Sequence, residues 1–257
     1  MLARTRSLAA RALPHGPVDV LRQIVLFCGA YWLYRLVRGL VDTRAHEAFA
    51  NARDVIDIER ALGLFIEPSV HAWTSSSAVL SDVTSWMYIN SHFAITTTVL
   101  AWIYLRRNER FYFVRNMFLV AMGLALVGYA ALPTAPPRLM PEWGFSDSVA
   151  AFTGGSSTSG SADVLFNPFA AIPSMHVAFA LMIGLTMAQI VRRPWARVLW
   201  WCYAPVVTFV VIATANHWWI DAFLGALVAA VSAAAARGFF ARLRPEVWAW
   251  DARQAAI

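Results

Sequence analysis

Two short strings carry residue types that can do chemistry: Pro173-Ser174-Met175-His176 and His217-Trp218-Trp219-Ile220-Asp221. His217 and Asp221 are four apart, so on a helix they share one face. A carboxylate that accepts from one imidazole nitrogen fixes the tautomer and leaves the other nitrogen as nucleophile or base. Pro173 suits the first position of a helix, which would set Ser174, Met175 and His176 in its first turn. The N–H groups and positive dipole end of that turn make an anion site. Two histidines, a serine, a carboxylate and the nearby Arg138 are the parts needed to move a phosphoryl group through a phosphohistidine. Zinc held by His176, His217 and Asp221 is the competing chemistry. The metalloprotease spacing on one helix is missing, and an arginine beside a helix N-terminus favours an anion, so neither a metal nor a cofactor is expected.

The elements that must position these residues read as membrane helices. Of the 257 residues, 59% are hydrophobic and 14% charged, against roughly 25% charged in a soluble domain. Six stretches, near 20–41, 82–105, 113–132, 173–191, 197–215 and 218–239, approach the ~20 apolar residues that cross a bilayer. The expected fold is an all-α, six-span transmembrane bundle over residues 19–240, with a basic tail at 1–18 and a second tail at 241–257. Asp54, Asp57, Glu59 and Arg60 mix with Val55, Ile56, Ile58, Leu62 and Leu64 within segment 42–81. That pattern predicts a helix lying in the interface rather than across the membrane.

All 21 basic residues are arginine and the net charge is +6. The arginines cluster in the breaks between apolar stretches, a topology signal that argues against a nucleic-acid partner. With the N-terminus in the cytoplasm, the inner segments hold Arg4, Arg6, Arg11, Arg22, Arg106, Arg107, Arg110, Arg115, Arg192, Arg193, Arg197, Arg237, Arg242, Arg244 and Arg253. The positive-inside rule therefore predicts a multi-pass cell-membrane protein with both termini cytoplasmic and segments 42–81, 133–172 and 216–217 outside. This counting brings Arg138, His176, His217 and Asp221 to one face without reference to their chemistry.

Loop 133–172 contains Gly154-Gly155-Ser156-Ser157-Thr158-Ser159-Gly160-Ser161 and shows no helix or strand pattern, as expected of a substrate-facing loop or lid. Cys28 and Cys202 have no disulfide or CxxC spacing and are expected to pack as small apolar residues. The tryptophans near span ends read as interfacial anchors. Asn90, Ser91 and His92 stand within the second span, and His92 is expected to bond another helix rather than to react.

Taken in order, Ala135-Pro136-Pro137, Pro173-Ser174-Met175-His176 and His217-Trp218-Trp219-Ile220-Asp221 resemble the motifs of the type 2 phosphatidic acid phosphatase superfamily. The resemblance covers roughly residues 20–240 and is nearest to the inositol phosphorylceramide synthase-like branch. It implies that His217 attacks phosphorus, Asp221 orients and charges His217, and His176 protonates the leaving oxygen. Ser174, Met175 and the adjoining amides would hold phosphate oxygens of a lipid phosphate or phospholipid. The Lys-x6-Arg-Pro signature of the hydrolases is absent. Val210-Val211 stands where those enzymes have Ser-Arg, and Met175 where they usually have glycine. Arg138 is then the first candidate cation and Arg38 or Arg35 the second. For the latter two, snorkelling or pairing with Glu59 or Glu67 competes.

Overall fold

The computed structural model describes residues 13–40, 44–154, 169–240 and 242, and for residues 34–40, 239 and 240 the backbone alone. Its helices are α1 (Gly16–Leu40), α2 (Ala45–Ala61), α3 (Glu67–Ser75), α4 (Ala78–Trp86), α5 (His92–Arg106), α6 (Asn108–Ala131), α7 (Ser148–Thr153), α8 (Met175–Ile190), α9 (Pro194–Ala213) and α10 (Trp219–Ala234). No strand forms among the described residues; Thr134 and Ala170 meet in an isolated bridge. Helices stand at all six apolar stretches. Asn108–Ala131, Pro194–Ala213 and Trp219–Gly238 are long and apolar enough to cross a membrane, and Met175–Ile190 is a shorter apolar helix. Helix α1 begins at Gly16, inside the segment read as a tail.

Local sequence explains the boundaries near the site. Pro194 opens α9, where its missing N–H costs nothing. At the head of α10, the Asp221 carboxylate takes the backbone N–H of Trp218 at 2.9 Å, which caps the helix from its third position. Helix α8 starts two residues later than the proline predicts. Ser174 is its N-cap and its hydroxyl accepts from Val177 N at 3.5 Å, because a serine side chain replaces a missing helix acceptor better than a proline begins the turn.

Helix α8 is the centre of the bundle and packs on α5, α6, α9 and α10. Two glycines set its distances. A Cβ at Gly225 of α10 would stand 2.3 Å from the Ser174 carbonyl oxygen, and one at Gly128 of α6 would stand 2.6 Å from the Pro173 ring. Asp221, Gly225 and Ala229 are all buried on this face of α10. A stripe of small residues lets two helix backbones approach closely, and here it fixes where the two histidine motifs meet.

Segment 42–81 is several short helices rather than one. Gly63, with φ +69°, ends α2 in a left-handed turn, and Ser77 caps α4. Ala48, Ala52, Val55, Ile56 and Glu59 are buried on one face of α2. Residues 133–153 are folded, although the sequence shows no helix or strand pattern there. Met140 and Phe145 join Trp218, Ile56 and Ile172 in a second apolar core, and α7 packs on α4. The remainder of the Gly/Ser run, from residue 155, lies outside the described residues. Trp218 is accordingly a core residue, fully buried, with Nε1 donating to the Ala135 carbonyl at 2.9 Å. Trp73, Trp86, Trp195 and Trp201 are exposed. Cys28 and Cys202 are also exposed, which corrects their reading as packing residues. On a uniformly apolar helix, hydropathy does not tell a lipid-facing position from a packed one.

Candidate active site

The head of α10 and the turn before it form the site's floor. Helix α9 ends at Ala213, and the chain reverses through Ala215, whose φ of +54° is a left-handed conformation outside glycine. Four contacts over-determine this turn. Asn216 N and His217 N both donate to the Val211 carbonyl, at 3.0 and 3.2 Å, and Ala215 N donates to Ile212 O at 2.9 Å. The Ala215 carbonyl accepts from Arg138 N at 2.8 Å. Strain of this kind persists where surrounding structure holds it, and here it delivers His217 to the head of α10.

His217 Nδ1 lies 3.1 Å from Asp221 Oδ2. Asp221 is fully buried and His217 nearly so. The same oxygen also takes Trp218 N, so the carboxylate is held by its own helix while it holds the ring. An acceptor at Nδ1 fixes the N–H there and leaves Nε2 with its lone pair outward. Across from it stands the ring of His176, 5.7 Å away centre to centre and at 63°. Tyr88 stacks on His176 at 4.7 Å and His92 lies 5.0 Å from it. Both come from the junction of α4 and α5, where a π-helical turn over Met87–Ser91 re-aims the side chains. Such turns often mark functional positions. His92 Nδ1 meets the Tyr203 hydroxyl at 3.3 Å, an interhelical bond from α5 to α9.

Arg138 is brought to the same place. Its Nη1 donates to Asn216 Oδ1 at 2.7 Å, beside His217, and its Nε is 3.4 Å from Asp147 Oδ2. Part of its charge is thus balanced by Asp147. Ser174 is fully buried. Its amide donates to the Asp221 carbonyl at 3.0 Å and its hydroxyl caps α8. Its visible work is to join the two motifs, which differs from a hydroxyl presented to phosphate. Met175 is buried in the main apolar core. The side chains of Arg38 and Arg35 lie outside the described residues. Among the described residues no group of three or more His, Cys, Asp or Glu is arranged to hold a metal ion.

Three functional-looking residues escape the motif reading. His71 of α3 is buried; its Nδ1 donates to the Ala213 carbonyl at 2.8 Å and its Nε2 accepts from Ser146 N at 3.2 Å. It therefore ties α3 to the turn that carries His217. Glu59 and Glu67 are both fully buried. Glu67 Oε1 accepts from Trp219 N at 3.0 Å and Glu59 Oε1 from Ile220 N at 2.9 Å. With Asp221 on Trp218, three consecutive amides at the head of α10 are taken by three carboxyl groups. The signal was present in α2: Ala48, Ala52, Val55, Ile56 and Glu59 recur at helical spacing, which sets Glu59 on the apolar face.

A family model described as the PAP2 superfamily matches residues 53–235. Neither a curated protein nor a solved structure matches the chain.

Proposed function

We propose, for a chain that belongs to the PAP2 superfamily, that it transfers a phosphate or phospho-alcohol headgroup on a lipid through a phosphohistidine, in the manner of inositol phosphorylceramide synthase-like enzymes. The observation that carries the reading is the buried His217–Asp221 pair, with the ring of His176 from a second helix 5.7 Å from that of His217. In this account His217 Nε2 forms a bond to phosphorus as the bond from phosphorus to the leaving oxygen breaks. His176 gives that oxygen its proton. An acceptor hydroxyl then attacks phosphorus, its proton passes to His176, and the bond to His217 breaks. Splitting one displacement into two lowers the barrier of each.

Asp221 stabilises the imidazolium that develops on His217, and Arg138 supplies positive charge for the equatorial oxygens. Ser174 contributes by holding α8 to the Asp221 carbonyl, so that both histidines keep their separation. A lipid substrate is supported by the apolar groove of about 490 Å³ between α3, α8, α9 and α10, lined by Val70, Val177, Leu181, Pro205, Phe209 and Phe223. The arginine distribution supports six spans with the site at the outer face. That orientation is tested by impermeant thiol labelling of Ser157→Cys and Asn108→Cys on intact cells, in a Cys28→Ser, Cys202→Ser background. Ser157→Cys should label before the membrane is opened and Asn108→Cys only afterwards.

The deciding experiment incubates purified protein with labelled lipid phosphates, with and without alcohol acceptors. Headgroup exchange supports transfer. Release of phosphate alone makes the protein a lipid phosphate phosphatase with water as acceptor. No turnover across the panel would favour a non-catalytic lipid-binding protein built on the same bundle.

A further inference from the structure

The catalytic helix is held from outside its own motif. A helix leaves its first backbone N–H groups without partners, and in phosphate-binding proteins such groups face the ligand. At the head of α10 they face the protein instead. Trp219 N and Ile220 N donate to Glu67 and Glu59, which reach in from α3 and α2. Neither glutamate touches solvent. Glu59 Oε2 and Glu67 Oε2 find no N–H or hydroxyl donor among the described residues. Two ionised carboxylates so placed would repel, and a proton between them turns the repulsion into a hydrogen bond.

We propose that Glu59 and Glu67 are positioning residues that hold one proton between them and clamp the first turn of α10, thereby fixing the His217–Asp221 pair. This rests on the phosphohistidine reading for its effect on turnover, but not for the clamp itself. Burial, followed by the hydrogen bond and charge of Glu67, raises the Glu59 carboxyl from 4.5 to about 9. Asp221 on α10 adds to this rise, while the Ile220 amide works against it. Of these groups Glu67 comes from α3, and Asp221 and the Ile220 amide from α10. Arg60, next on α2, lays its guanidinium over the rings of Phe65 and Trp143. With the proton in place the pair accepts two amides at the cost of one buried charge; without it, a second anion faces Asp221.

The test compares Glu59→Gln with Glu59→Ala. Glutamine keeps an oxygen for Ile220 N–H and an N–H for Glu67, so it imitates the protonated acid. Glu59→Gln should keep turnover within about threefold of the parent, and Glu59→Ala should lower kcat by about a hundredfold with KM little moved, as for a misplaced catalytic group. Two readouts do not depend on turnover. Infrared titration should show a protonated-carboxyl C=O band in the parent that fades as pH passes about 9 and is missing in Glu59→Gln. Nitrogen NMR of labelled histidine, with His217→Asn for assignment, should show His217 displaced in Glu59→Ala and unmoved in Glu59→Gln. If the parent turns over no lipid phosphate, the functional reading fails and the band and the His217 signal still decide the clamp. An absent band, or His217 unmoved in Glu59→Ala, overturns it.

Discussion

Two buried polar clusters sit at opposite ends of the same bundle, and they are built differently. Where α1 begins, Asp19 Oδ2 accepts from the Tyr104 hydroxyl at 2.7 Å and from the Tyr112 hydroxyl at 3.0 Å. Gln23 Nε2 donates to Asp19 Oδ1 at 2.8 Å, and Gln23 Oε1 accepts from Arg115 Nη1 at 3.0 Å. The Arg115 Nε and Nη2 groups both donate to Asn116 Oδ1. Charge and hydrogen-bonding capacity close on themselves there. At the head of α10, by contrast, Asp221 Oδ1, Glu59 Oε2 and Glu67 Oε2 have no hydrogen-bond donor among the described residues. Native proteins satisfy nearly all buried polar atoms. The closed network holds helices together, and in the proposed reaction the incomplete one leaves room for a reacting group and its protons.

The sharpest way to break this contrast is to remove one group from each end. His217→Ala and His176→Ala should each abolish turnover while the protein stays folded in detergent. His176→Ala should lose least with a substrate whose leaving group is already acidic. Asp221→Asn should keep less than about a hundredth of the activity, as for other histidines that lose their orienting carboxylate. Asp19→Asn should do the reverse: a lower unfolding temperature, by a loss of about 1–3 kcal/mol, and unchanged kcat per folded molecule. Equal effects of Asp221→Asn and Asp19→Asn on kcat would erase the distinction.

A smaller effect is expected from the helix contact that sets the spacing of the two motifs. Gly225→Ala places a methyl group 2.3 Å from the Ser174 carbonyl oxygen, so α8 and α10 must part. The histidines then separate, and kcat should fall about ten- to a hundredfold, read beside the circular dichroism of the folded protein. Normal turnover would show that the close approach serves packing only.

The legible part of the site was the part written in local spacing. His217 and Asp221 one helical turn apart, and a serine beside His176, identify themselves because their partners are near in sequence. Arg138 was reached through the arginine count, which uses only the alternation of apolar stretches. Glu59 and Glu67 were harder. They sit among other acids on a segment that looks like a surface helix; the apolar spacing of α2 marks Glu59, but its partner on α10, and the inward turn of Glu67, come only from the packing. Trp218 misled for a related reason: an aromatic at the end of an apolar helix looks the same whether it meets headgroups or the folded loop at Ala135. Ser174 stands out in the sequence beside Pro173, but its role as N-cap depends on where α8 starts.

The weakest expected effect concerns pH. Glu59 holds its proton in the folded protein up to about 9, whereas the unfolded chain releases it near 4.5. Its contribution to stability is therefore complete below 4.5 and declines as pH rises toward about 9. Thermal unfolding in detergent should show this decline in the parent and a flatter profile in Glu59→Gln. Identical profiles would place the proton elsewhere.

In the proposed reaction His217 carries the phosphoryl group, and direct capture of that intermediate tests this. The protein is mixed with a lipid labelled with ³²P in its phosphate, quenched in alkali within the first turnover, digested and sequenced by mass spectrometry. An alkali-stable, acid-labile phosphate is expected on the peptide containing His217, absent from His217→Ala and discharged on adding an alcohol acceptor. Turnover with no labelled protein, or label on any residue other than His217, would contradict it.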